Sequence, residues 1–369
     1  MAIPTGRADH PLFDPKQRIK LGIFGSNVSN GCTISTAESS FRPTWEQNLD
    51  LALQAEALDF DLLVPVGRWK GFGGATDFNG DCLEVYTWAA ALAARTERIH
   101  IFATSHVPTV HPILAAKQAA TIDRISNGRF GINVVCGWFT PEMEMFGVQQ
   151  LPHDDRYARA TEWIQVCKRL WQEQDFDYSG KYYTIKGGYM LPKPVQQPYP
   201  LLINAGISPA GIDYAAREMD VNFCIVSTLD QGRELIGQIR GKAAGYGRDI
   251  GIMSSAAVVC RSSEAEARAV WDHIVARGDY AALDNLLTTF GVQSGSMTPE
   301  AARELTERFI VGWGGYPLVG TPLQVAQEIG RLADIGVDIL LLSWLDYAPE
   351  LNYFGEQVMP LLKQMGLRA

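Results

Sequence analysis

Asn133 stands inside an otherwise apolar run, Phe130-Gly131-Ile132-Asn133-Val134-Val135. A buried amide brings two donors and an acceptor that must be satisfied. Two readings stand: an asparagine bonded to its neighbours in the core, or an amide aimed at the polar edge of a ligand. Thr104, closing another apolar run, offers a hydroxyl, although a β-branched threonine suits a strand in any case. Ala205-Gly206-Ile207-Ser208-Pro209 ends a further run and opens a helix. Glycine there permits close backbone approach, Ser208 can cap, and a helix amino terminus offers free N–H groups to an anion. That is the composition of a phosphate cradle, to which Arg156 and Tyr157 could add a charge-assisted contact. The alternative for Arg156 is a solvated surface arginine. Trp69, Trp138, Phe139 and Trp344 supply aromatic surface for enclosing an apolar or planar substrate, or for ordinary packing.

Several familiar constellations are missing. The six histidines (His10, His100, His106, His111, His153, His273) show no H-E-x-x-H or H-x-H spacing, so no metal site is expected. His106 and His111 flank prolines and read as loop residues rather than bases. Neither a G-x-S-x-G elbow nor a Walker loop occurs. Gly71-Phe72-Gly73-Gly74 leads into Asp77-Phe78-Asn79-Gly80 rather than a helix, so it is not a dinucleotide fingerprint. A phosphate cradle, a buried amide and aromatic side chains suit a bound cofactor that brings the reactivity itself.

These residues need elements to position them. Eight continuously apolar, β-rich runs occur at 19–24, 62–66, 99–104, 130–135, 201–205, 221–226, 253–260 and 339–344. Continuous rather than alternating apolarity fits strands covered on both faces, as in a parallel sheet. Helix-period segments lie between them at 45–58, 83–94, 113–125, 158–172, 210–218, 231–244, 264–276 and 322–335. Thr321-Pro322 and Ser263 with Glu266 mark clear helix starts. Eight strands, each followed by a helix, predict an α/β fold, the (β/α)8 TIM barrel, with a doubly wound open sheet as the alternative. The barrel reading puts the site at the carboxyl ends of the strands.

The 369 residues are read as one barrel domain, with the surplus length in insertions at about 136–157, 176–200 and 279–320. In the second, Asp177–Tyr183 looks like a hairpin, and Pro192, Pro194, Pro198 and Pro200 exclude helix. In the third, Thr298-Pro299-Glu300 starts a short helix, and Gly312, Gly314 and Gly315 mark a flexible stretch suited to a lid. Hydrophobic residues at 47% and charged residues at 20% exclude a disordered or fibrous chain. The net charge of −9, without a basic cluster, argues against a nucleic-acid partner. Six scattered cysteines with no C-x-x-C pair read as buried free thiols. The amino terminus lacks the apolar core of a signal peptide, and no apolar run is long enough to span a membrane. A cytoplasmic protein is expected.

Ala119-Ala120-Thr121-Ile122-Asp123-Arg124-Ile125-Ser126-Asn127-Gly128-Arg129, continuing to Asn133-Val134-Val135 and Gly137-Trp138, resembles a long and specific stretch of the bacterial-luciferase-like, FMN-dependent monooxygenases. His153-Asp154-Asp155-Arg156-Tyr157, Val319-Gly320-Thr321-Pro322 and Gly336-Val337-Asp338 match other segments of that family. Lys70–Phe78 and Ile34-Ser35-Thr36 favour its pyrimidine oxygenase group, whereas Tyr353-Phe354-Gly355 is more like the dimethylsulfone and alkanesulfonate monooxygenases.

The resemblance implies a barrel that takes reduced FMN from a separate NAD(P)H:flavin reductase and reacts with O2 through a flavin peroxide. It also implies a homodimer or homotetramer. By the same resemblance Gly67, Arg68, Asn133, Glu142, Arg156, Tyr157 and Ser208 contact FMN, while Thr104 and Asn133 hold oxygen beside it. Gly206 and Ile207 join these through the cradle read above. Gly67 and Arg68 depart from the pyrimidine pattern, where a larger residue and a lysine stand. A small, neutral, pyrimidine-like heterocycle is the expected substrate, with C–S cleavage of a sulfone or alkanesulfonate as the alternative. A deazaflavin-dependent dehydrogenase and a non-catalytic flavin-binding protein are the competing classes.

Overall fold

All eight apolar runs form strands, and they are parallel. In the computed structural model, which describes residues 10–290 and 298–369, the strands of the first half are β1 (Lys20–Phe24), β2 (Leu62–Val64), β3 (His100–His106), β4 (Phe130–Val135), β5 (Phe176–Ser179) and β6 (Thr184–Gly188). The others are β7 (Leu201–Asn204), β8 (Val221–Phe223), β9 (Gly251–Cys260), β10 (Tyr316–Gly320) and β11 (Ile339–Ser343). The helices begin with α1 (Trp45–Ala57), α2 (Val85–Ala93), α3 (Pro112–Ile125), α4 (Thr140–Met145), α5 (His153–Gln172), α6 (Pro209–Glu218) and α7 (Leu229–Gly245). They continue with α8 (Glu264–Ala276), α9 (Tyr280–Phe290), α10 (Pro299–Gly312), α11 (Pro322–Asp334), α12 (Tyr347–Gln357) and α13 (Met359–Gln364).

The large sheet has the order β10-β9-β11-β1-β2-β3-β4-β7-β8, and β9 also pairs with β8. The order therefore returns on itself, and the fold is a closed (β/α)8 barrel of eight parallel strands surrounded by helices, with β10 added beside β9. The chain packs as two compact units. The first comprises Glu84–Phe223 and Gln238–Gly251, with the described residues up to Asp14. The second comprises Pro15–Leu83, Cys224–Gly237 and the described residues of Ile252–Ala369.

In the first unit, register brings the two polar strand residues together. β3 and β4 pair so that Thr104 lies opposite Asn133, and β7 places Ile203 on the other side of Asn133. Gly131 keeps this pairing tight: a Cβ there would fall 2.1 Å from the Phe102 ring. His106, read from sequence as a loop residue, instead closes β3 and is buried.

Two buried ions fasten the layers. Asp123 on α3 accepts the backbone N–H groups of Val195 and Gln196 and the Gln196 side-chain amide, so it holds the proline-rich segment against the barrel. Arg129 donates to the carbonyls of Ala93, Thr96 and Ile99 at the end of α2. The expected hairpin is present as β5–β6, antiparallel.

His10 and His100 pack together in this unit, with ring centroids 4.8 Å apart. His10 Nδ1 accepts the N–H of Leu12, and its Nε2 is buried without a partner. Burial first, and the neighbouring His100 second, hold the His10 pKa well below 6.5. A depressed histidine pKa contributes stability above the unfolded-state value that is lost as pH falls towards the folded-state value. The urea midpoint is thus expected to drop as pH is lowered from 7 through 6.5, and less steeply in His10→Gln. Identical pH profiles for the two proteins would contradict this.

In the second unit, β1 lies between β2 and β11, with Gly22 lodged against Leu62 and Leu341. Here the third insertion departs from expectation. It holds α9, α10 and β10, the last in register with Ala256–Cys260 of β9. The stretch Gly312–Gly315 is not a flexible lid. Gly312 ends α10 where a Cβ would meet the Ala257 Cβ at 2.2 Å, Trp313 takes the left-handed cap conformation at φ 49°, and Gly315 lies against Ala256. The glycines serve close packing of a helix end on a strand. The part of that insertion at 291–297, and the amino-terminal residues 1–9 from which no signal peptide was read, lie outside the described residues.

All six cysteines are free, five of them buried. Among the described residues no helix is long and apolar enough to cross a membrane. Nor does any group of three His, Cys, Asp or Glu side chains among them suit a metal ion.

Candidate active site

The first unit gathers most of the residues singled out from sequence. At the ends of β3 and β4, Asn133 Nδ2 donates to Thr104 Oγ1 at 3.3 Å, and both residues are buried. Asn133 Oδ1 is buried with no partner. A buried amide oxygen left in this state costs roughly 1–3 kcal/mol. Among the described residues, then, the neighbours of Asn133 leave its amide acceptor unsatisfied.

The cradle follows β7. Asn204, which sequence reading missed, donates to the Val134 carbonyl at 2.7 Å and accepts the Gly206 N–H at 2.8 Å. It thereby ties the turn to β4. The Gly206 carbonyl accepts from Asn222 Nδ2 at 2.9 Å. Ser208 caps α6 through the Gly211 N–H at 3.1 Å, and the exposed Ile207 side chain turns outward.

Tyr157 completes the cradle from α5. A Cβ on Gly206 or Gly211 would lie within 2.8 Å of its hydroxyl, and its phenol bonds Ser208. Both glycines are thus required by the close approach of a phenol to a helix amino terminus. Burial raises the Tyr157 pKa, so its hydroxyl stays a donor.

Arg156 and Tyr157 lie inside α5, which starts at His153 rather than at 158 as the helix period suggested. The acidic first turn, Asp154 and Asp155, was the unread signal. Arg156 donates to the Gly137 carbonyl at 2.7 Å, which makes it a tether of the β4 loop rather than a solvated surface arginine. Its Nε is buried and unpartnered. Gly137 has φ 92°, and a Cβ there would lie 2.5 Å from Pro108. Burial pushes the Cys136 thiol up to about 12, so it is no nucleophile at neutral pH.

The first insertion contains α4, which sequence reading left as loop. α4 buries Glu142, and Phe139 at its amino cap packs on Trp138 with ring centroids 5.7 Å apart.

The remaining candidates follow strands of the second unit. After β2, Gly67 and Arg68 are buried and Trp69 is 44% exposed. The Arg68 guanidinium stands 5.1 Å from the Phe72 ring centre and 5.9 Å from that of Trp313. These aromatic faces favour a planar cation. Trp344 departs from its expected role as a substrate-pocket residue. It is 2% exposed and packs against Phe60, Tyr347 and Phe354, because the chain turns from β11 directly into α12.

Comparison with known proteins matches this architecture. The model of the luciferase-like monooxygenase family matches residues 19–338. The chain is 34% identical over 360 residues to the FMNH2-dependent dimethylsulfone monooxygenase of Pseudomonas putida, covering 95% of this chain and 96% of that protein. It is 35% identical over 355 residues to the pyrimidine monooxygenase RutA of Escherichia coli, covering 94% and 92%. Among solved structures, the long-chain alkane monooxygenase LadA shares the fold with a TM-score of 0.83 at 21% identity, over 95% of this chain and 92% of that one. An unsatisfied amide at the end of one barrel strand and a serine-capped turn after the neighbouring strand thus find their context: this chain belongs to the luciferase-like monooxygenase family.

Proposed function

We propose that the protein binds reduced FMN at the strand ends of its first unit and uses O2 to oxygenate a small neutral substrate. A pyrimidine-like heterocycle is the preferred class. The carrying observation is the Thr104–Asn133 pair, whose buried Oδ1 has no protein partner. The residues present fit the cofactor: the two glycines Gly206 and Gly211 let the Tyr157 hydroxyl reach the Ser208 end of α6, and the neighbouring Arg156 keeps a buried Nε without a partner.

In this reading Ser208, Tyr157, Arg156 and the backbone at Gly206 and Ile207 hold the single phosphate. When bound, reduced FMN supplies the two electrons that let one oxygen atom enter the substrate while the other leaves as water. Asn133 orients the reacting oxygen through its remaining amide N–H, and Thr104 fixes the rotamer of that amide. Glu142 contacts the cofactor from α4. Trp138 and Phe139 exclude water from the site, which strengthens these hydrogen bonds. A second reading, oxygenation of a sulfone, is favoured by the 34% identity to the dimethylsulfone enzyme.

Oxygen consumption with uracil and with dimethylsulfone is expected to require FMN together with an NAD(P)H:flavin reductase. Full activity with NADPH alone would contradict the proposal.

A further inference from the structure

Arg159 carries no motif and was not singled out from sequence, yet its setting is unusual. It lies three residues after Arg156 on α5, so the two share a helix face. Arg156 Nε, Arg159 Nε and Arg159 Nη2 are all buried, and none has a partner. The carboxylates of this helix are engaged elsewhere. Asp154 meets His153 at 2.7 Å, and Asp155 accepts from Lys181 and Tyr182 at 2.8 Å each.

Glu162, one turn beyond Arg159, accepts the backbone N–H groups of Lys181 and Tyr182 at 2.8 Å and of Tyr183 at 3.1 Å. Gly180 lets the hairpin tip settle onto that carboxylate, since a Cβ there would lie 2.2 Å from it. The β5–β6 hairpin is thus fastened to α5 beside Arg159. Burial lowers the Arg159 pKa first, and Arg156 adds to the lowering, while Tyr183, Tyr182 and Cys136 act against it. Tyr183 and Cys136, both pushed up to about 12, stay neutral and cannot cancel the charge.

Burying cations without partners is costly, and two side by side call for an anion of matching charge. A phosphate monoester carries between −1.5 and −2 near neutral pH and presents three acceptor oxygens. A sulfonate or carboxylate carries only one charge. The cradle of Ser208 and Tyr157, the residue next to Arg156, lies at the same end of the helix.

We propose that Arg159 is a binding residue for the dianionic phosphate of FMN, forming with Arg156 a two-guanidinium site under the β5–β6 hairpin. The proposal rests on the FMN reading above. It makes the hairpin part of the cofactor site, because Glu162 holds the hairpin in place and at the same time leaves Arg159 for the phosphate.

Equilibrium binding of oxidised FMN and of riboflavin, which lacks the phosphate, tests this on the full-length protein by flavin fluorescence. Arg159→Ala is expected to raise the Kd for FMN about tenfold, the worth of one charge-assisted hydrogen bond, and to leave riboflavin binding unchanged. Arg159→Gln, which keeps most of the side-chain volume, is expected to show the same selective loss. Wild-type affinity for FMN should fall below about pH 6, where the phosphate loses its second charge, and fall less steeply in Arg159→Gln. Equal effects on FMN and riboflavin, or no effect on either, would overturn the role of Arg159 while leaving the FMN reading intact. A wild-type protein that binds riboflavin as tightly as FMN would overturn that reading, and this proposal with it.

Discussion

Replacing Asn133 with alanine is expected to lower the oxygenation rate by roughly a hundredfold while changing FMN affinity by less than about tenfold. The first figure is the usual cost of removing one preorganised donor aimed at a reacting oxygen. The second is set by the single hydrogen bond that the amide could give the cofactor. The structure makes the variant clean. Among the described residues the side chain bonds Thr104 Oγ1, at 3.3 Å, and its Oδ1 has no partner, so little of the fold depends on it. Thr104→Val should then show a smaller loss in the same direction, because it removes only the group that fixes the amide. Steady-state oxygen uptake and flavin titration on the same preparations measure the two quantities. Unchanged turnover in Asn133→Ala would remove the central residue of the account.

The largest effect on stability is expected at Asp123. Its carboxylate is wholly buried and is the common acceptor for three donors, two backbone N–H groups and the Gln196 side-chain amide. Asp123→Ala leaves the two buried Gln196 donors without this acceptor, at roughly 1–3 kcal/mol each, and the half-buried Val195 N–H as well. The unfolding free energy is therefore expected to fall by at least about 2 kcal/mol, and Asp123→Asn by less, because an amide oxygen still accepts. Urea unfolding followed by circular dichroism measures this. A loss below about 1 kcal/mol in Asp123→Ala would show that the segment around Gln196 is held by other means.

Asp123 also shows what a sequence conveys and what it withholds. It belongs to the segment that most strongly resembles the luciferase-like enzymes, yet its work is structural: it joins α3 to a segment more than seventy residues away. Arg129, in the same segment, does likewise for the end of α2. A resemblance reports that such residues travel together but not which of them touch a ligand.

Asn133 was legible for a local reason, since a polar side chain inside Phe130–Val135 breaks the apolar pattern. The eight barrel strands were legible for the same reason, as continuous apolarity marks a strand covered on both faces. Arg159 was not legible, because an arginine on a helix surface is ordinary until its neighbours are known to be spent on the hairpin. Gly312–Gly315 misled for the opposite reason. Glycine serves both flexibility and close packing, and only the nearness of Ala257 tells which. Trp344 was placed correctly at a strand end, but the direction of its side chain depends on α12, a helix that sequence reading did not assign.

The central claim is that reduced FMN and O2 act together at Asn133. The most direct measurement is a single-turnover experiment in which enzyme and chemically reduced FMN, mixed anaerobically, meet isotope-labelled O2 with uracil and, separately, with dimethylsulfone. Mass spectrometry of the products is expected to show one labelled oxygen atom in the product of at least one substrate, and far less product with Asn133→Ala. Products that form without O2, or that contain no labelled oxygen, would contradict the account.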